Sequence, residues 1–319
     1  MGIKQLRVEG YKSYSPALPF DMVLGKITVL LGANGAGKSN LLSIFRNLKH
    51  IGDSSSSFGV MSFYGSIAQT QKFSVTFTAD DGKVASWSVR WNDGSITDEW
   101  SGDIPRIRVY QFNNTSPTAG IKQEVSVYDC AELQEDGSNL AAILRRLRDE
   151  FPQYYKRIVL QMRRVMPQFG DFDLDDPKDK GNAILCWTDR GFPGVKFNPN
   201  QLSDGSLRFL ALLTLLLSPP SMLPTTIVLD EPEIGLHPKA LLLLHGIIEV
   251  ASENCQVILA TQSSTFVNLF AAEEIVVVEH DANESCSVAK RLDVAELRSW
   301  LEEFSLAEAW EKNLFGGNP

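Results

Sequence analysis

The sequence predicts an α/β fold built around a phosphate-binding loop. Three stretches predict it. Gly32-Ala33-Asn34-Gly35-Ala36-Gly37-Lys38-Ser39 fits the pattern G-x-x-x-x-G-K-[ST]. It sits between Ile27–Leu31, apolar and β-branched like a buried strand, and Asn40–Phe45, which opens a helix with apolar residues on one side. Ile227-Val228-Leu229 is a second buried-strand pattern and ends in Asp230-Glu231. From Thr225 to Glu279 strand and helix patterns alternate, the rhythm of a parallel sheet.

The elements follow in order. Ile3–Glu9 alternates apolar and polar residues and reads as a half-exposed strand. Tyr11–Tyr14 is a turn before the loop strand, and the serine run 53–57 is a loop. Lys72–Ala79 and Val84–Trp91 form an antiparallel hairpin across Asp80-Asp81-Gly82, and Ile107–Tyr110 is a further strand. Asn139–Phe151 is an amphipathic helix with Leu140, Ile143, Leu144, Leu147 and Phe151 on one face. Pro152 starts a second, striped by Tyr155, Ile158, Val159, Met162 and Val165. Ile184–Thr188 is a strand and Leu207–Leu217 an apolar helix. Pro238–Ala251 and Ser264–Phe270 are helices between the strands Thr225–Leu229, Gln256–Ala260 and Glu274–Glu279. A hairpin partner at Cys286–Leu292 and two short helices follow.

Composition bounds the classes. The chain has 319 residues, 44% hydrophobic and 22% charged, as an ordinary globular protein has. Its net charge of −9 argues against nucleic-acid binding by the whole surface, though not by a local basic site. The four cysteines are widely spaced, with no C-x-x-C, which points to buried thiols. The first residues lack the apolar core of a signal peptide, and the longest apolar run, Phe209–Leu217, is too short for a membrane span. A cytoplasmic protein with no membrane attachment is expected.

The motifs carry a nucleotide chemistry. Glycines let backbone wrap around anionic oxygens, and a helix N-terminus adds partial positive charge. Lys38 is expected to reach the β- and γ-phosphates of ATP, and the Ser39 hydroxyl to hold Mg²⁺. Asp230, at a strand tip, is the second candidate Mg²⁺ ligand. Glu231 is placed to polarise a water for attack on the γ-phosphate. Ser203-Asp204-Gly205-Ser206 opens a helix, with Ser203 as its cap.

With these motifs in place, the sequence resembles the ABC-type ATPases, and among them the SMC-like and RecF-like branch and the compact bacterial AAA/ABC-type group related to the ATPase part of OLD-family proteins. The resemblance implies a P-loop NTPase, an ABC-type ATPase head with a mixed β-sheet lobe and a helical lobe insertion. Its boundaries are 1–135 and 200–319 for the nucleotide-binding core and 136–199 for the helical lobe. It implies that Ser203 and Gly205 form a signature completing the ATP site of a second copy, and that Glu233–Pro238 lies along that dimer interface. The whole loop, Gly32, Ala33, Asn34, Gly35, Ala36, Gly37, Lys38 and Ser39, is carried over as nucleotide-binding, together with Asn40 and Lys12 of Tyr11-Lys12-Ser13-Tyr14. Gln262, in Thr261-Gln262-Ser263, stands where this branch usually carries a switch histidine. Glutamine can hydrogen-bond a phosphate but does not titrate near neutral pH, so binding is expected to survive and hydrolysis to be slow. A glutamine sensing Mg²⁺ and γ-phosphate is also expected; Gln69, Gln71 and Gln111 are the candidates. The closing Trp310–Gly317 is typical of the group and carries no evident chemistry.

SMC proteins place coiled coils between their loop and signature, but here two short helices broken at Pro152 occupy the gap. They concentrate Arg145, Arg146, Arg148, Lys156, Arg157, Arg163 and Arg164, either a solvated helix face or a surface for DNA or an acidic partner. His237 has no second histidine nearby, and Asp171, Asp173, Asp175 and Asp176 read as a solvated acidic loop. The reading is an ATPase that dimerises around ATP as a switch or motor for a separate effector, such as a nuclease, in DNA maintenance or antiphage defence. The alternatives are a regulatory ATP-binding subunit of a nuclease complex and an ABC transporter ATPase.

Overall fold

The structure, a computed structural model, describes residues 2–48, 70–79, 84–92, 95–101, 106–175, 181–281 and 284–317. The serine run 53–57, the hairpin loop at Asp80–Gly82, Gln69 and Asp176 lie outside the described residues.

The elements in chain order are β1 (Ile3–Glu9), β2 (Phe20–Val23), β3 (Ile27–Leu31), α1 (Lys38–Leu48), β4 (Thr70–Ala79), β5 (Val84–Asn92), β6 (Ser95–Ser101) and β7 (Ile107–Tyr110). Then come β8 (Val125–Ser126), α2 (Leu140–Glu150), α3 (Pro152–Val165), β9 (Phe169–Asp175), β10 (Asn182–Asp189), β11 (Lys196–Phe197) and α4 (Asp204–Leu216). The last are β12 (Thr226–Asp230), α5 (Pro238–Ser252), β13 (Gln256–Thr261), α6 (Ser264–Val267), β14 (Ile275–Asp281), β15 (Cys286–Arg291), α7 (Val294–Leu301) and α8 (Leu306–Glu311). The chain divides into two compact units, Met1–Val109 with Pro224–Glu231 and Cys255–Pro319, and Tyr110–Leu223 with Pro232–Asn254.

In the first unit a mixed sheet runs in the order β15-β14-β3-β13-β12-β7. β14, β3, β13 and β12 are mutually parallel, and β15 pairs antiparallel with β14. All five residues of β3 and of β12 are buried, as strands covered on both faces must be. An antiparallel sheet, β2-β1-β4-β5-β6, includes the predicted hairpin, paired from Thr70↔Asn92 to Thr78↔Val84. One core joins these parts. Leu41, Leu42, Ile44 and Phe45 of α1 pack with Ile3, Leu6 and Val8 of β1 and with Leu30, Val228, Ile258 and Val276 of the mixed sheet. That spacing along α1 is the one-sided apolar stripe of an amphipathic helix, and the core holds the loop between β3 and α1 from both ends.

The second unit packs helices on a small antiparallel sheet of β11-β10-β8, with β9 also paired to β10. Of the apolar stripes expected of α2 and α3, Leu140, Ile143, Leu144 and Leu147, and Tyr155, Ile158, Val159 and Met162 are buried, while Phe151 and Val165, at the ends of the helices, are half-buried. Phe169 packs on Phe172 and Trp187, with ring centroids 4.7 and 6.1 Å apart.

Two expectations need correction here. The acidic stretch is a strand, not a loop: Phe169, Phe172 and Leu174 of β9 are buried in alternation with its acids. Aspartate disfavours strands, but each of these has a partner. Asp171 accepts from Tyr155 Oη at 2.6 Å, Asp173 pairs with Lys196 at 3.1 Å, and Asp175 pairs with Arg148 at 3.1 Å and Arg145 at 3.5 Å. Arg145 and Arg148 are thereby offset by Asp175, Arg146 also pairs with Glu150 at 2.9 Å, and Arg163 donates to the Gly170 carbonyl while keeping its charge. The helix read at Ser264–Phe270 is shorter, ending at Val267.

Arg148 holds the Asp175 carboxyl below its ordinary value, chiefly by hydrogen bonding and further by its charge and those of Arg145 and Lys196. A depressed carboxyl stabilises the fold above its unfolded pKa, near 3.8, and that contribution vanishes as pH falls through the lower folded value. The pair is half-exposed, so it is worth about 0.5 kcal/mol. Asp175→Asn should lower the melting temperature slightly at pH 7, and the gap to the unsubstituted protein should close toward pH 2. A gap that widens on acidification would reverse the sign.

No helix among the described residues is long and apolar enough to cross a membrane. Burial pushes the Cys255 thiol up to about 11, which makes it a poor nucleophile.

Candidate functional site

The parallel register brings three strand ends to one edge. Leu31 of β3 is level with Thr261 of β13, and Ala260 with Asp230 of β12. Gly32, Gln262 and Glu231 therefore leave the sheet at neighbouring C-terminal strand ends, where open α/β sheets bind ligands.

The loop from Gly32 curls back to start α1 at Lys38. Gly35 and Gly37 have φ of +80° and +114°, a region open mainly to glycine. A Cβ on Gly32 would stand 2.1 Å from the Val278 carbonyl oxygen, so β14 is in backbone contact with the loop's first residue. Lys38 is buried, and its ammonium donates to the carbonyls of Gly32 at 2.6 Å and Ala33 at 2.8 Å. Asn34, Gly35 and Ser39 are exposed. The loop, the first turn of α1 and the lysine together make a cradle for an anionic oxygen cluster.

Around it the turn Tyr11–Tyr14 braces α1. Tyr14 Oη donates to the Gly37 carbonyl at 3.1 Å, and burial raises its pKa, keeping it a neutral donor. Asn40 donates to Ser13 Oγ at 2.8 Å. Lys12 donates to Ser43 Oγ at 2.8 Å and lies over the Tyr11 ring. Its pKa is lowered by burial and then by Arg46. Lys12 and Asn40 thus hold protein groups beside the loop.

At the end of β12, Asp230 is buried and Glu231 is half-buried. Glu231 has a φ of +49°, a left-handed backbone strained in a non-glycine residue, and its N–H donates to the Ala260 carbonyl at 2.9 Å. The neighbouring strand thus holds an acid in a costly conformation at the mouth of the sheet. Arg46 of α1 pairs with Asp230 at 3.2 Å, a contact no motif announced. Mg²⁺ is commonly held by one or two protein oxygens together with phosphates and water, and the Ser39 hydroxyl and Asp230 carboxylate are donors of that kind. The residues present fit the ion.

The signature residues lie in the second unit. Ser203 is exposed and caps α4, its Oγ accepting from Ser206 N at 3.1 Å. A Cβ on Gly205 would fall 2.3 Å from the Gly235 carbonyl oxygen, so α4 starts in backbone contact with the turn after Glu231. Arg208 ties the two further, donating to the Ile234 carbonyl at 3.2 Å. His237 caps α5, its Nδ1 accepting from Lys239 N at 3.3 Å. Of the glutamine candidates, Gln71 lies in β4, and Gln111 follows β7 with its N–H on the Glu135 carbonyl.

A family model described as "AAA domain, putative AbiEii toxin, Type IV TA system" matches residues 131–268. The chain superposes on an SMC head solved with the C-winged helix domain of ScpA, with a TM-score of 0.66 and 17% identity, covering 93% of this chain and 99% of that one. The chain has the fold of an SMC ATPase head. An SMC head domain from Thermotoga maritima matches at TM-score 0.55 and 15% identity, covering 92% and 100%. The SMC head from Pyrococcus furiosus, solved with an extended coiled coil and the C-terminal domain of ScpA, matches at 0.61 and 17%, covering 95% and 99%. No curated protein sequence matches significantly. The likeness is one of fold, that of a P-loop NTPase with a mixed sheet.

Sequence reasoning missed Arg46, which a lone arginine on an amphipathic helix does not flag. It also left the tail unexplained. Gly317 accepts from Ala33 N at 3.0 Å, and its N–H donates to Glu279 Oε2 at 3.0 Å. A cavity of about 540 Å³ opens between loop residues 33–36, Glu279, Asn313 and Gly317. The only advance signal was the Gly316-Gly317 pair.

Proposed function

We propose that the chain binds ATP with Mg²⁺ at Gly32–Ser39, hydrolyses it, and dimerises around it to switch a partner protein. The loop carries this reading: two left-handed glycines and a lysine at the helix start, on the sheet edge where Asp230 and Glu231 emerge.

The proposed roles are these. Loop and α1 N–H groups bind phosphate oxygens, and Lys38 keeps the Gly32 carbonyl while turning its other donors, one of them now on Ala33, to phosphate. Ser39 and Asp230 would hold Mg²⁺, Asp230 being the carboxylate that Arg46 pairs with here. The ion, when bound, neutralises charge on the phosphates. Glu231 orients and polarises the attacking water. Gln262 hydrogen-bonds phosphate without carrying a proton, which makes turnover slow. Ser203 and Gly205 of a second copy close the site, α4 offering an exposed N-terminus to the anion.

The related heads solved with ScpA domains, and the toxin–antitoxin description of the matched domain, support a protein effector that reads the ATP state. DNA maintenance or antiphage defence is the setting this favours. Lys156, Arg157 and Arg164, exposed on α3, are the charge left for DNA.

Light scattering tests the switch. ATP with Mg²⁺ should double the mass of the protein. Ser203→Arg should bind a fluorescent ATP analogue within about threefold of the unsubstituted protein, since it loses only a helix cap worth about 1 kcal/mol, yet stay a single chain. Dimerisation of that variant on ATP would remove the signature from the mechanism.

A further inference from the structure

We propose that Glu279 and the tail Gly316-Gly317 position Lys38, acting through one peptide plane of the loop; this rests on the ATP-binding reading above. The Gly32 carbonyl and the Ala33 N–H belong to the same planar unit and point in opposite directions. Lys38 Nζ holds the carbonyl end at 2.6 Å, and the Gly317 carbonyl holds the N–H end at 3.0 Å. Gly317 is in turn held by its own N–H on Glu279 Oε2 at 3.0 Å. A rotation of the plane that breaks one of its bonds breaks the other.

The tail is shaped for this contact. Asn313 turns the chain after α8 with a φ of +55°, and Gly316 and Gly317 follow at +83° and +74°. A Cβ on Gly316 would stand 2.4 Å from Glu279 Oε2, and one on Gly317 would stand 2.5 Å from Val277 Cγ1. Only glycine meets both demands. Glu279 lies at the end of β14, the strand whose Val278 carbonyl already abuts Gly32. β14 therefore reaches the loop twice, by backbone contact at Gly32 and through the tail at Ala33. Glu279 is a positioning residue, acting on Lys38 through Gly317 and the loop peptide.

The test pairs hydrogen exchange with nucleotide binding. In Glu279→Ala the Ala33 amide should exchange at least about tenfold faster, and a fluorescent ATP analogue should bind about tenfold more weakly, the cost of one charge-assisted hydrogen bond. Glu279→Gln keeps an acceptor oxygen and should recover both to within about threefold. Unchanged Ala33 exchange in Glu279→Ala overturns the relay, as does faster exchange with unchanged affinity. Failure of glutamine to recover either readout overturns it too. If Glu279→Ala does not fold, Gly317→Val displaces the tail by the Val277 clash and is read the same way. Should the unsubstituted protein fail to bind the analogue, the ATP reading falls, and Ala33 exchange alone decides the relay.

Discussion

Glu231→Gln is expected to cut ATP turnover about 100-fold or more while leaving affinity for ATP within about threefold, because a general base typically contributes that much to rate and little to binding. Glutamine keeps the size and the hydrogen-bonding oxygen of glutamate but has no carboxylate to polarise water. The position argues for chemistry rather than stability. Glu231 holds a left-handed backbone, φ +49°, at the end of a fully buried strand, and its N–H is fastened to Ala260 of the next strand. Strain of that kind costs about 1 kcal/mol and is kept where it aims a functional group. The substitution should also prolong the ATP-bound dimer, seen as a doubled mass that persists after ATP is added. Turnover within about threefold of the unsubstituted protein would take the water-activating role away from Glu231. Glu231→Gly, which relieves the backbone, should be at least as stable and equally inactive. A less stable glycine variant would show that the acid side chain supports the fold.

Lys38→Ala is expected to weaken ATP binding about 100-fold or more, as the loss of a buried charge that bonds phosphate through more than one hydrogen bond should. The folded protein already spends this ammonium on the carbonyls of Gly32 and Ala33, and its removal leaves those two acceptors to water. The melting temperature should therefore shift little without nucleotide, and the stabilisation that ATP normally adds should disappear. Titration of a fluorescent analogue and paired thermal melts read both effects. A variant that binds normally would mean that the loop is a structural turn. Lys38→Arg should also bind poorly, because the planar guanidinium does not fit a pocket closed by two carbonyls of adjacent residues.

Much of the site could be read from local pattern. The loop needs eight consecutive residues, and β3, β12 and β13 are short apolar runs whose order implied a parallel sheet. Ser203 was legible as a cap because Ser-x-x-Ser precedes an apolar helix, and α4 does begin there. The failures were also local in origin. Four aspartates within six residues argued for a loop, since aspartate is rare in strands. Tyr155, Lys196, Arg148 and Arg145 supply the compensation from other elements. Those same pairs offset Arg145 and Arg148, two of the seven basic residues of α2 and α3.

The residues alone settle what depends on spacing within a few positions: strand, glycine turn, helix start, cap and amphipathic stripe. Those are set by backbone sterics and by periods of 2 and 3.6, which act between near neighbours. Tertiary structure decided what joins distant positions. Arg46 reaches Asp230 across 184 positions, and Gly317 reaches Glu279 across 38. No sequence window contains such pairs, and the chain meets them only when β14, β3, β13 and β12 assemble side by side. The loop's form is therefore written in Gly32–Ser39, while the setting of Lys38 within it depends on a tail nearly three hundred residues away.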